Sequence, residues 1–421
     1  MSGIRVNEWL HNSGTGGIWQ TSAGNVGIAS SVPTTKLEVT GDAKISGVTT
    51  ATTFAPTEGQ TGRRRINING AMQVAQRGTS AATANSSNEG YSTLDRWYLL
   101  YSSGAGGAIT FSQDTTVPTD YTWGRFSNSI KLDVTTADTS IAVEHAVTLQ
   151  YRIEAQDMLN CGWDYTNSSS TLTVSFWARS VKAGTYCVFL FSQDGTQRCN
   201  VKEYTLTANT WKHVELEFPG DSTVSFDDNA DAGLYIGWCL QAGAHRYEGV
   251  TAGQWISRTD GNNQGRYATS GQCNFLDSTS NDFYLTGVQV EVGSPTRFEF
   301  WSYGDELLRC QRYYEQFNSD GLAEAPFGVG YFESDTHLRA VVPLHEKRAN
   351  VSFDSTSAST FSAMNTNNMP AGSAISLYKT GKKAAILSLV LSSDVTSGDG
   401  RAGILCAQSS TEATLKFDSE L

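Results

Sequence analysis

Short alternations of apolar and polar residues, each closed by Gly, Ser, Asn or Asp, fill most of the chain from Ile66 onward. Thr171-Leu172-Thr173-Val174-Ser175-Phe176-Trp177, Tyr186-Cys187-Val188-Phe189-Leu190-Phe191, His213-Val214-Glu215-Leu216-Glu217-Phe218 and the run from Phe283 to Val292 each read as a strand. A period of two sends one set of side chains into a core and the other toward solvent. In the third of these, Val214, Leu216 and Phe218 share the core face, and His213, Glu215 and Glu217 are expected to face water. The succession predicts a two-sheet antiparallel sandwich of jelly-roll type over 61–303. A helical period breaks in once. Leu307, Cys310, Tyr314 and Phe317 stand at i, i+3, i+7 and i+10, which predicts a linking helix over 304–317. Gly304-Asp305 would supply its stop and cap, with Glu306, Arg309 and Arg312 off the apolar face. Strand patterns return at 338–342, 374–378 and the nearly continuous apolar run 384–391, so a small β domain is expected over 318–421.

The first sixty residues differ. Positions 1–22 hold Trp9 and Trp19 among Gly, Ser and Asn and sustain neither period, which reads as a terminal arm. So short a segment cannot bury two indoles by itself, and both are candidate contacts to another protein. Within 23–60, very short two-period pieces follow one another: Val26 and Ile28, Leu37 and Val39, Ile45, Val48. Strands this short have almost no core of their own. They are expected to pack against identical copies around a common axis, as a fibrous stalk; a flexible linker is the alternative. The segment 57–65 is polar, ends in Arg63, Arg64 and Arg65, and reads as a solvated boundary.

Charge narrows the range of partners. Thirty basic against 42 acidic residues leave a net −12, so a phosphate-tracking basic surface is lacking and nucleic acid is not an expected partner. No stretch approaches the ~18 consecutive apolar residues of a membrane helix, and the start lacks a secretory pattern, so neither membrane insertion nor signal-directed export is expected. Forty Gly and 8 Pro suit a turn-rich β protein. Seven widely spaced cysteines without a C-x-x-C pair read as free thiols of a protein made in a reducing cytoplasm.

No catalytic signature is present: the chain lacks G-x-S-x-G, H-E-x-x-H, a P-loop and a dinucleotide fingerprint. The expectation is a non-enzyme without cofactor. His337 and His345 are the nearest histidine pair and fit a strand better than a metal site. Asp227, Asn229 and Asp231 form half of a calcium-type loop, but Gly233 comes one residue late and no Glu follows at the twelfth position, so a polar turn is the plainer reading. Aromatic residues say more, at 45 of 421. Trp123, Trp163, Tyr165, Tyr247, Trp255 and Tyr267 stand in polar, turn-like contexts. Exposed rings stack on sugar faces while neighbouring Asp, Asn, Gln and Arg bond the hydroxyls, which makes these six the candidate glycan contacts.

Gly24-Asn25-Val26-Gly27-Ile28 and Lys36-Leu37-Glu38-Val39-Thr40-Gly41-Asp42-Ala43-Lys44-Ile45-Ser46-Gly47 resemble the stalk repeats of tailed-bacteriophage fibres, especially those of marine phages of cyanobacteria. Ile68-Asn69-Gly70-Ala71-Met72-Gln73-Val74-Ala75-Gln76-Arg77-Gly78 and Leu94-Asp95-Arg96-Trp97 resemble the opening of a phage fibre head. Leu285-Thr286-Gly287-Val288-Gln289-Val290-Glu291-Val292, Ser302-Tyr303-Gly304-Asp305-Glu306-Leu307 and Cys310-Gln311-Arg312-Tyr313-Tyr314 resemble its close. The middle, Val174-Ser175-Phe176-Trp177-Ala178-Arg179-Ser180 with Trp211 and His213-Val214, is similar to carbohydrate-binding-module sandwiches. The resemblance implies a homotrimeric virion component, a tail fibre that binds host-surface polysaccharide or lipopolysaccharide. The family's motif residues mark its frame, not a ligand site. Fibres that dock directly on a virion often begin with a much larger attachment domain, so the short arm, through Trp9 and Trp19, or an adaptor protein is expected to make that contact. A decoration fibre without receptor role and a polysaccharide depolymerase are the alternatives.

Overall fold

The computed structural model describes residues 8–10, 17–40, 64–80, 82–259, 265–365, 369–395, 400–408 and 412–421. They belong to two compact units, Met1–Ala55 and Pro56–Leu421.

In the first unit, strands β1 (Glu8–Leu10), β2 (Gly17–Gln20), β3 (Val26–Ile28) and β4 (Leu37–Val39) form one sheet in that order. The first two pairings are antiparallel and β3–β4 is parallel. Strands β1 and β2 lie inside the segment whose sequence shows no strand period, a correction to the irregular arm: pairing with β3 supplies the order that three or four residues cannot supply alone. Trp9 pairs with Ile18, and half-buried Trp19 stands between Glu8 and Gly27. Ile18, Ile28 and Val39 form one cross-strand row and Val26 and Leu37 fall two residues along it, so all five share a sheet face. Ile18, Ile28 and Leu37 are exposed there at 44%, 41% and 62%. Ile45 and Val48 lie outside the described residues.

The second unit opens with a sandwich. Its strands are β5 (Ala82–Ala84), β6 (Trp97–Ser102), β7 (Ala108–Asp114), β8 (Ser129–Thr136), β9 (Ala146–Glu154), β10 (Thr171–Ser180), β11 (Gly184–Ser192), β12 (Arg198–Leu206), β13 (Lys212–Pro219), β14 (Ala232–Ala242), β15 (Trp255–Ser257) and β16 (Asp282–Val292). A short helix α1 (Ala155–Leu159) follows β9. The strands make two six-stranded sheets, β13-β10-β16-β8-β7-β5 and β15-β12-β11-β14-β9-β6. Inward residues such as Leu172, Val174 and Phe176 meet Leu149, Ile236 and Trp238 in one core, where Phe176 and Trp97 each lie 5.5 Å from the Trp238 ring. In β16 the inward set changes phase, from Phe283 and Leu285 to Val288, Val290 and Val292. The register slips at Gly287, whose φ of +62° and closeness to Phe126 (a Cβ would meet its Cζ at 2.6 Å) admit no other residue without strain.

Helix α2 (Tyr303–Gln311) is capped by Ser302, whose Oγ accepts the Asp305 amide at 3.2 Å. The cap therefore precedes the expected Gly304-Asp305, and the helix stops well before 317. Tyr314–Asn318 is instead strand β17, paired with the last strand of the chain. Glu306 is buried, not solvated, because Arg65 and the Asn69 amide bind its carboxylate. Arg65 is buried too and donates to the carbonyls of Asn67 and Glu299, so the solvated-boundary reading fails for that residue.

The remaining strands are β18 (Pro326–Ser334), β19 (His337–Pro343), β20 (Ser352–Ser355), β21 (Phe361–Met364), β22 (Gly372–Thr380), β23 (Ala384–Leu391), β24 (Ala402–Ala407) and β25 (Thr414–Asp418). They form a three-stranded sheet β17-β25-β20 and a six-stranded sheet β21-β24-β18-β19-β23-β22 around Phe332, Leu338, Phe361, Leu387, Leu405 and Phe417. The described residues are all-β apart from the two short α-helices and three single 3-10 turns, as expected. A buried clasp joins this domain to the sandwich. Glu420 meets Arg77 and Arg96, Arg348 donates to the carbonyls of Ala230, Ser419 and Glu420, and Arg312 holds Glu154 at 2.7 Å.

Candidate functional site

The motif residues of the head assemble into a frame. Asn67 donates to the Val288 carbonyl and accepts from the Val290 amide, each within 2.9 Å, and Asn69 bonds Val74 and Asp95. Both side chains are satisfied internally, so neither is free for a ligand.

Five of the six aromatic candidates are packed away from any common platform. Trp163 is 3% exposed and belongs to the sandwich core, with Tyr165 set against Phe226 at 4.9 Å. Tyr267 is 6% exposed and lies 5.0 Å from Phe189 on the outside of the second sheet. Half-buried Tyr247 joins the same cluster, where the segment between β14 and β16 covers that sheet with a second small core. Trp255 is half-buried on edge strand β15 and donates its indole N–H to the Pro219 carbonyl at 2.6 Å. The buried rings of Trp163 and Tyr267 have no free face for a sugar, which corrects those two candidates.

Trp123 is different. It stacks on His213, centroids 4.4 Å apart and planes 9° apart, above the outer face of the first sheet. His213 on β13 pairs with Trp177 on β10, and Arg179, two residues on, pairs with Tyr284 on β16. Trp211 lies 6.1 Å from Tyr284, whose ring carries the Arg179 guanidinium at 4.9 Å. His213 thus stacks where it was expected to face water, and burial holds its pKa down to about 4 against an opposing pull from Asp120. The imidazole is neutral at pH 7.

From Trp123 a packed aromatic cluster, with Phe126 and Phe298 buried, leads toward helix α2, where Phe300 and half-buried Trp301 reach the surface. The Phe298 amide donates to the Trp123 carbonyl at 2.9 Å, and Phe298, Phe126 and Phe300 lie within 5.3 Å of one another. Gly124 allows that contact, since a Cβ there would meet the Phe300 ring at 2.9 Å. Arg65 sits 5.1 Å from both the Phe298 and Trp301 centroids, and Arg309 stacks on Trp301 at 3.0 Å. Beside these rings opens a pocket of about 460 Å³, lined by Glu299, Phe300, Trp301, Ser302, Asp305, Leu308 and Arg309. Phe300 is 44% exposed. The result is a ridge of rings ending in a pocket with two carboxylates, a hydroxyl and a guanidinium. Sequence reasoning found only Trp123 of this group. The available signal was an aromatic residue out of phase with its strand, as Trp177 is after inward Phe176.

The turn from Asp227 to Asp231 is tied within the protein: the Asn229 side-chain Oδ1 accepts the Asp231 amide at 2.9 Å, and the Asn229 and Asp231 carbonyls accept amides of α1. Among the described residues no group of three or more His, Cys, Asp or Glu could hold a metal ion. His337 bonds Thr336 and Ser334, while His345 and Lys347 both bind buried Glu315. No described helix is long and apolar enough to cross a membrane.

No family model and no curated protein matches the chain. Solved structures share limited likeness. One described as "CBM4 structure and function" is 14% identical, with 54% of this chain and 99% of that one covered at a TM-score of 0.27. The N-terminal CBM22-1–CBM22-2 tandem of Paenibacillus barcinonensis Xyn10C is 8% identical, with 82% and 98% covered at 0.24. TmCBM61 in complex with β-1,4-galactotriose is 11% identical, with 47% and 88% covered at 0.21. Likenesses at these TM-scores carry no argument about what this chain binds.

Proposed function

We propose that this chain is a fibre protein of a tailed-bacteriophage virion, trimeric through its N-terminal unit, which binds glycan on the host surface through the ridge from Trp123 to Trp301. The ridge carries the reading. Exposed Phe300 and half-buried Trp123 and Trp301, beside carboxylates and guanidinium groups, suit the apolar faces and hydroxyl edges of a sugar. The exposed face of Ile18, Ile28 and Leu37 supports self-association, since a small sheet gains little by leaving that face in water. Three weak sites on one fibre, and several fibres per particle, would turn modest affinity into firm attachment through effective concentration. The stalk and head-frame resemblance supports the virion assignment, with the segment bearing Trp9 and Trp19 as the contact to tail or adaptor.

The test is binding of labelled full-length protein to an array of bacterial surface polysaccharides, alongside Trp123→Ala and Trp301→Ala. Saturable binding that both substitutions weaken is expected. Binding untouched by either would remove the ridge from the account, and no binding by a folded trimer would leave a structural virion component. Light scattering that returned a 45.5 kDa monomer would end the trimer reading.

A further inference from the structure

The three-stranded sheet β17-β25-β20 has one face in the core of the C-terminal domain and one face turned to a cleft against the sandwich. Two cross-strand rows make that second face: Tyr314–Asp418–Ser352, and Gln316–Lys416–Asp354 two residues along. The opposite wall is Arg77, Tyr91 and Ser92 of the sandwich, and the cleft encloses about 380 Å³, within the range of small-molecule pockets. Arg77 lies between two rings, 3.6 Å from the Tyr314 centroid and 5.5 Å from that of Tyr91. Ser92 Oγ is buried there without a hydrogen-bond partner.

We propose that this cleft binds a neutral pyranose unit, at a site separate from the ridge. Its rows hold amide, hydroxyl, carboxylate and ammonium groups and no aliphatic side chain, which disfavours an apolar guest. The charges are matched inside the cleft, Arg77 with Asp418 and Lys416 with Asp354, both at 2.9 Å. An anionic guest would therefore meet as much repulsion as attraction, whereas a hydroxyl can donate to a carboxylate and accept from the neighbouring cation at once. Tyr314 is buried beneath Arg77 and Phe353 turns toward Phe417 in the domain core, so recognition in the cleft rests on its polar groups. A sheet face meant only for water needs no facing wall. Here two domains supply the two sides, so a bound sugar also ties them together. The proposal is independent of the ridge and survives if the ridge binds nothing.

Saturation-transfer NMR on the full-length protein tests it, with the methyl glycosides of glucose, galactose, mannose and N-acetylglucosamine as probes and methyl glucuronide as the charged comparator. At least one neutral glycoside is expected to bind saturably, to persist in Trp301→Ala, and to lose about tenfold in affinity in both Gln316→Ala and Asp354→Ala. The Asp354 side chain is 70% exposed, so unchanged melting of that variant is expected and separates lost contact from lost fold. No neutral glycoside bound by wild type overturns the proposal. So does binding lost in Trp301→Ala yet kept in the two cleft variants, which would assign the sugar to the ridge, and so does tighter binding of the glucuronide. Lost array binding in Trp301→Ala with cleft binding intact would leave both readings standing as separate sites.

Discussion

Replacing Glu420 with alanine should release the C-terminal domain from the sandwich. The Glu420 carboxylate is 4% exposed and binds Arg96, itself 1% exposed, with Arg77 at 3.4 Å on its other oxygen. Arg77 would keep Asp418 at 2.9 Å and Asp95 at 3.9 Å. Arg96 would keep the Arg152 carbonyl at 2.6 Å and the Tyr313 ring at 3.4 Å, but no carboxylate, and its Nε already lacks a partner. Removing one member of a buried ion pair costs about 3–5 kcal/mol because the other charge stays desolvated. Glu420→Gln keeps an acceptor of the same shape and should cost roughly half of that. All ten tryptophans stand at or before Trp301, so indole fluorescence in urea reports the rest of the chain while far-UV circular dichroism includes the C-terminal domain. The two signals should separate in Glu420→Ala, with the dichroism transition moving first. A loss under about 1 kcal/mol with coincident transitions would refute the reasoning, since it would mean that the carbonyl and the rings alone satisfy Arg96. In the double variant with Arg96→Met the two losses should fall short of additivity.

Four other outcomes are expected. His213 should show no titration in proton NMR between pH 5.5 and 7.5, because burial holds its pKa near 4; its contribution to stability is complete above the unfolded value near 6.5 and is lost as pH falls toward 4, and a midpoint near 6.5 would contradict the buried stack. Burial lifts the Asp95 carboxyl to about 6 despite Arg77, so the folded state holds that proton more tightly than the unfolded chain does. Wild type should therefore lose about 2 kcal/mol relative to Asp95→Asn as pH rises from about 4 to 6 in urea titrations, and a difference that stayed flat would count against it. Gly287→Ala should lower stability by about 1–3 kcal/mol in a thermal melt, from the positive φ and the contact with Phe126; an unchanged melting point would show that the bulge relaxes freely. Ile28→Asp, on the exposed row of the N-terminal sheet, should shift sedimentation toward monomer, and an unaltered oligomer would place the association elsewhere.

Much of this fold is written in period-two patterns, and its departures are written in contacts. Strands at 171–177, 186–191, 213–218 and 384–391 are legible because one face of each meets a core, and even the bulge in β16 is visible as a phase change across Gly287. The helix was legible at its start and not at its end. Tyr314 and Phe317 continue the helical spacing, but pairing with β25 and burial of Glu315 against Lys347 make 314–318 a strand, a tertiary gain that local spacing does not encode. The site was less legible still. Trp163 and Trp255 stand in polar sequence contexts, yet neighbours distant along the chain enclose them, such as Phe226 for Trp163. Phe300 and Trp301 stand just before the Ser302–Leu307 motif that reads as frame, Phe300 exposed and Trp301 half-buried beneath Arg309, while Phe298 behind them is buried.

That arrangement ties the frame to the ridge. Arg65 at the start of the head binds Glu306 on α2 and the Glu299 carbonyl, and places its guanidinium 5.1 Å from both Phe298 and Trp301. Arg309, one turn along the same helix from Glu306, covers Trp301. The side chains that close the sandwich are thus the ones that fix the ring orientations at the end of the ridge. A ring held this way loses little rotational freedom when a sugar stacks on it, so more of the stacking free energy remains as affinity. On the proposed reading, frame residues that touch no ligand would govern binding, because they set the geometry of the surface instead of contributing contacts to it.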